Sequence, residues 1–109
     1  MPDELQQRLG ANEAVFRRIN EGIERGHWPG EEDSPVGFRC ECAQLWCTDV
    51  IELSVREYES VRANPRRFIV LPGHECLEAE IVVERRATYL VVEKLDQAGA
   101  TAEATDPRG

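Results

Sequence analysis

From Asp3 to Arg25 the apolar side chains fall at Leu5, Leu9, Phe16, Ile19 and Ile23, three or four positions apart once Asn12 is counted in the gap. That is the period of one helical face, and the intervening Gln, Arg, Glu and Asn residues make the segment amphipathic. Gly26 stands where a helix stop is expected. Residues 26–35 hold Gly and Pro positions around Glu31, Glu32 and Asp33, which reads as a solvated acidic linker. The period then changes. Residues 36–42 alternate and predict a strand, and residues 49–53 predict a second after a short turn through 44–46. Ser54-Val55-Arg56-Glu57 fits a capping box and announces a short helix, with Val55, Tyr58 and Val61 on one side and Asn64-Pro65 at its end. Residues 68–71 predict a third strand, stopped by Pro72-Gly73, and the β-branched runs 79–85 and 88–94 predict an antiparallel hairpin. After Leu95 the Gly, Ala, Thr and Asp composition offers nothing to bury, so residues 96–109 are expected to be a disordered tail.

The pattern is that of an α+β protein: an N-terminal amphipathic helix within residues 1–25, the linker 26–35, and a domain over 36–95 with a small antiparallel sheet and one short helix. At 109 residues, 31% of them charged, such a chain buries a low fraction of its surface and needs stabilisation from outside its apolar core. The net charge of −8 is spread so that no segment is basic, which argues against a nucleic-acid partner. No apolar run is long enough to span a bilayer, and Met1-Pro2-Asp3-Glu4 lacks the character of a signal peptide, so the expected location is the cytoplasm. In that reducing compartment, metal binding is a better use of the four cysteines than disulfides.

Cys40 and Cys42 sit two apart in an expected strand, where both sulfurs share a face, and Cys47 follows after room for a turn. The turn after the third strand offers His74 or Cys76 as a fourth ligand. Four sulfur and nitrogen ligands suit one structural Zn²⁺, and a closed site of this kind supplies folding energy to a domain too small to be stable otherwise. The competing readings are cysteines that merely pack in a strand, or a redox-active or iron–sulfur centre.

Phe38-Arg39-Cys40-Glu41-Cys42, Cys47, Glu57-Tyr58-Glu59, Val61-Arg62, Pro65, Arg67-Phe68, Pro72-Gly73-His74-Glu75 and Val91-Val92-Glu93-Lys94 resemble the pattern C-E-C, C, E-Y, V-R, P-G-H-E, V-V-E-K of a group of small actinobacterial proteins. The resemblance spans about residues 10–94. It implies Cys40, Cys42, Cys47 and His74 as the ligand set, with Cys76 a free thiol, and it implies no activity.

Glu75 beside His74 suggests metal-assisted hydrolysis, but no second histidine completes an H-E-x-x-H spacing, and four protein ligands leave no open position for water. His27 reads as a solvent-facing linker residue, and Arg62, Arg66 and Arg67 as a solvated helix end. With no phosphate loop or nucleophile motif, the chain is expected not to be an enzyme. The reading is a non-catalytic zinc-binding accessory or regulatory protein, acting on another protein or on itself through the stripe Leu5, Leu9, Phe16, Ile19 and Ile23. Its rivals are a thiol redox sensor that releases zinc on oxidation and, more weakly, a nucleic-acid-binding zinc protein.

Overall fold

The computed structural model describes the backbone of residues 3–42, 44 and 47–108, and the side chains of residues 13–42, 44 and 47–108. Helix α1 (Asp3–Arg25) leads to β1 (Pro35–Arg39), β2 (Val50–Ser54), α2 (Val55–Arg62), β3 (Arg67–Val70), β4 (Glu80–Arg85), β5 (Leu90–Lys94) and α3 (Asp96–Ala104). The α+β class is as the sequence predicts. The expected single sheet is instead two antiparallel ones, β1-β2 and β3-β5-β4.

They meet along the chain just after β1, where the Glu41 N–H donates to the Ile69 carbonyl at 2.8 Å and the Leu71 N–H points at the Cys40 sulfur at 3.3 Å. The segment with Cys40 and Cys42, expected within the first strand, therefore lies past the end of β1 and runs beside the open edge of β3. Ser54 and Glu57 form the capping box at the start of α2, each satisfying a backbone N–H that the first turn leaves free. The hairpin β4-β5 is closed by Arg86 N–H donating to the Tyr89 carbonyl, and it carries a register shift between Val82 and Glu84. Phe38, Ile51, Tyr58, Phe68, Ile69, Val91 and Val92 form the core between these elements.

Two more expectations are corrected. The stripe on α1 is only part of the face it buries, with Ile23 packed against the core. Phe16 is buried, but Ile19 is 42% exposed and Ile23 only half-buried, while Glu13, Arg17, Asn20 and Glu21 are buried; the side chains of Leu5 and Leu9 lie outside the described residues, as do Leu45 and Trp46 of the expected turn. Helix α1 also docks through polar groups, because the segments around it offer counter-charges and backbone groups. The Arg17 guanidinium donates to the carbonyls of Pro65 and Ala102, both at 2.6 Å, and lies 4.5 Å from the centre of the Phe68 ring. The Asn20 amide reads the main chain of Arg39, accepting its N–H at 2.7 Å and donating to its carbonyl at 2.8 Å.

Residues 96–104 are the second correction, since they form α3 rather than part of a disordered tail. Its buried residues, Ala98, Gly99 and Ala102, have so little side chain that α1 and β5 approach closely. A Cβ at Gly99 would meet the Arg66 guanidinium and come within 2.9 Å of the Lys94 carbonyl. Beyond α3, Asp106 and Arg108 are held by ion pairs to Arg62, Glu21 and Glu59. Small residues and charges, rather than apolar bulk, order this segment. Among the described residues, no helix is long and apolar enough to cross a membrane.

Candidate metal centre

Extended backbone past β1 sends Cys40 and Cys42 to one face and Glu41 to the other. Cys47 returns on a turn in which its N–H donates to the Gln44 carbonyl at 2.9 Å. His74 is delivered by the turn after β3, where Gly73 adopts a φ of 93°, open to glycine at no steric cost, and the His74 N–H donates back to the Leu71 carbonyl. The His74 Nδ1 then lies 3.6 Å from the Cys40 sulfur and 3.6 Å from that of Cys47. One ligand atom from each of Cys40, Cys42, Cys47 and His74 lies within 4.8 Å of the other three. The three cysteines are buried and the imidazole is half-buried, so this group could hold a metal ion out of bulk water.

The thiols are electrically unequal. A hydrogen bond from Cys40 holds the Cys42 thiol down at about 5 against the opposing effect of burial. Cys40 is pushed up, first by that same hydrogen bond and then by burial, and burial also raises Cys47. Cys40 and Cys42 thus titrate as a pair, in which the first thiolate to form is stabilised by the protons that remain on its neighbours. A cation bound there would replace those protons.

All four cysteines are unpaired in disulfides, and Cys76 does not join the cluster. It is half-buried, with its N–H donating to the Glu80 carboxylate at 3.0 Å. Glu75 is not among the clustered ligands and accepts the Gly73 N–H at 2.6 Å, bracing the turn that presents His74. His27 is half-buried rather than solvent-facing, with its Nδ1 at 2.6 Å from the Glu24 carbonyl.

Sequence reasoning missed the residues behind the ligands. Glu41, completely buried, accepts from Tyr58 Oη at 2.8 Å, Asn20 Nδ2 at 2.9 Å and the Ile69 N–H at 3.0 Å. Burial pushes its carboxyl up while these donors pull it down. This one side chain ties the cysteine strand to α1, α2 and β3 from the face opposite the sulfurs. The signal was present in the alternation of C-E-C, which puts the glutamate inward if the thiols converge on an ion.

No protein-family model, no curated protein and no solved structure matches the chain. The chemistry of the cluster therefore stands on its own geometry.

Proposed function

We propose that the chain is a non-catalytic zinc-binding accessory or regulatory protein of the cytoplasm, in which one structural Zn²⁺ is held by Cys40, Cys42, Cys47 and His74 Nδ1. The observation that carries this reading is the convergence of three sulfurs and one imidazole nitrogen, with two S···N separations of 3.6 Å. Tetrahedral bonds of about 2.3 Å to sulfur and about 2.0–2.1 Å to nitrogen require S···N edges of about 3.5–3.6 Å. Thiolate and imidazole ligands select zinc over magnesium, calcium or manganese, and four of them fill its coordination and leave no position for a reacting water. Partner binding falls to surfaces away from the metal. The outward side of α1, with Val15 at 51% and Ile19 at 42% exposure, supports a protein partner or self-association there.

Native mass spectrometry of the purified, reduced chain tests this reading, with one zinc per chain expected and its oligomeric state read in the same spectrum. Titration gives a second check. Because Cys42 is already ionised near neutral pH and Cys40 and Cys47 are not, zinc should displace about two thiol protons, and the logarithm of its apparent affinity should rise by about 2 per pH unit. Calorimetry in buffers of different ionisation heat counts those protons, and a count near zero would contradict the assignment.

A thiol redox sensor is the second reading. The Cys42 thiolate beside two further thiols favours it, and burial of all three sulfurs opposes it. Zinc retained through peroxide treatment that oxidises Cys76 would exclude the sensor.

A further inference from the structure

Asp49, the residue before β2, touches three of the four candidate ligands. Its backbone carbonyl accepts the Cys40 N–H at 3.0 Å, its Oδ2 lies 3.7 Å from the Cys47 sulfur, and the same oxygen lies 3.6 Å from the His74 Nε2. That nitrogen is the one turned away from the thiols, because Nδ1 faces Cys40 and Cys47. We propose that Asp49 is the positioning residue of the metal site, whose carboxylate accepts the Nε2–H of His74 and so presents the Nδ1 lone pair to the ion. The proposal rests on the reading of the cluster as a zinc centre.

A neutral imidazole carries its proton on either nitrogen, and a metal needs the unprotonated one. A carboxylate beside Nε2 holds the proton there, fixes the ring plane and makes Nδ1 a stronger donor. Without metal, the Cys47 thiol competes for the same oxygen at 3.7 Å. A metal-bound thiolate has no proton to give, so loading the site leaves the imidazole N–H as the donor facing Asp49. The present gap is roughly half an ångström longer than a formed hydrogen bond, and the aspartate side chain, 54% exposed, is free to close it. The backbone bond from Cys40 keeps Asp49 in register with the cysteine strand whatever its side chain does.

The test combines zinc competition against a chromophoric chelator with long-range ¹H–¹⁵N correlation of the imidazoles, which is simple to assign because the chain has two histidines, His27 and His74. In the wild-type zinc complex the metal should sit on His74 Nδ1, with a slowly exchanging Nε2–H. Asp49→Ala should still bind one zinc, about 10- to 100-fold more weakly, with that N–H exchanging faster. Asp49→Asn keeps an acceptor oxygen and should recover most of the affinity. Metal on Nε2, or an Asp49→Ala protein with affinity within about twofold of wild type and unchanged exchange, would overturn the proposal while leaving the zinc reading intact. A wild-type chain that binds no zinc would overturn both.

Discussion

Lys94→Met is expected to cost about 3–5 kcal/mol of stability, read as a lowered denaturant midpoint at unchanged slope. The Lys94 ammonium is paired with both Glu13 and Glu80, and each of the three side chains is only 1% exposed. It also lies 5.3 Å from the centre of the Phe68 ring. Methionine keeps most of the apolar stem but leaves two carboxylates buried without a counter-charge, each able to escape only by taking up a proton or drawing in water. Glu13→Gln should behave in the opposite way. Burial outweighs the pull of Lys94 and raises the Glu13 carboxyl from 4.5 to about 7. Its contribution is therefore fully present below the unfolded value and is lost as pH rises through about 7. Glutamine carries no such charge and keeps the Glu80–Lys94 pair, so the variant should gain on wild type as pH rises from about 4.5 to about 7 and hold that gain at higher pH. A Lys94→Met protein as stable as wild type would mean that this buried charge cluster does not hold α1, β4 and β5 together.

Cys40→Ser, Cys42→Ser and Cys47→Ser should each lose zinc, with His74→Ala nearly as severe. Structural zinc sites contribute about 10–16 kcal/mol of binding free energy, or about 2.5–4 kcal/mol per ligand if shared equally, which is roughly a hundred- to a thousandfold in affinity. Cys40 should be the most damaging of the three. Its sulfur also receives the Leu71 N–H at 3.3 Å, where the two sheets meet, so its loss weakens the join as well as the site. Cys76→Ser should change stability by no more than about 0.5 kcal/mol, because that thiol lies outside the cluster and the bond it makes to Glu80 is through its backbone. Zinc competition across the five variants gives the ranking, and a Cys76 effect exceeding that of His74 would reassign the fourth ligand.

The three cysteines of the candidate site were legible in the sequence because their spacing is local, whereas spacing left the distant fourth ligand between His74 and Cys76. Two cysteines at i and i+2 share a strand face, Ser54 and Glu57 mark a helix start, and Pro72-Gly73 marks the turn that presents His74. The face of α1 was legible only at Phe16 and Ile23, since hydrophobic periodicity assumes that polar residues point outward. Here Glu13, Arg17, Asn20 and Glu21 point inward, each answered by a residue distant in sequence: Lys94, the Ala102 carbonyl, Glu41 and Arg62. Helix α3 was hidden for a related reason. Ala98, Gly99 and Ala102 have the composition of a flexible tail, and only the closeness of α1 and β5 turns their small size into a packing surface. Asp49 could be weighed only once the ligands had positions, because an acid two residues from a cysteine says nothing until the ring it faces is known.

The claim on which the account turns is that metal and fold are one system, since the ligands arrive on the segment after β1, the approach to β2 and the turn after β3. Thermal unfolding of the reduced chain, followed by circular dichroism with and without a strong chelator, tests it most directly. The zinc-loaded protein should show one cooperative transition, and the chelated protein should lose that transition and recover it when zinc is restored. An unchanged cooperative transition in fully metal-free, reduced protein would contradict the claim.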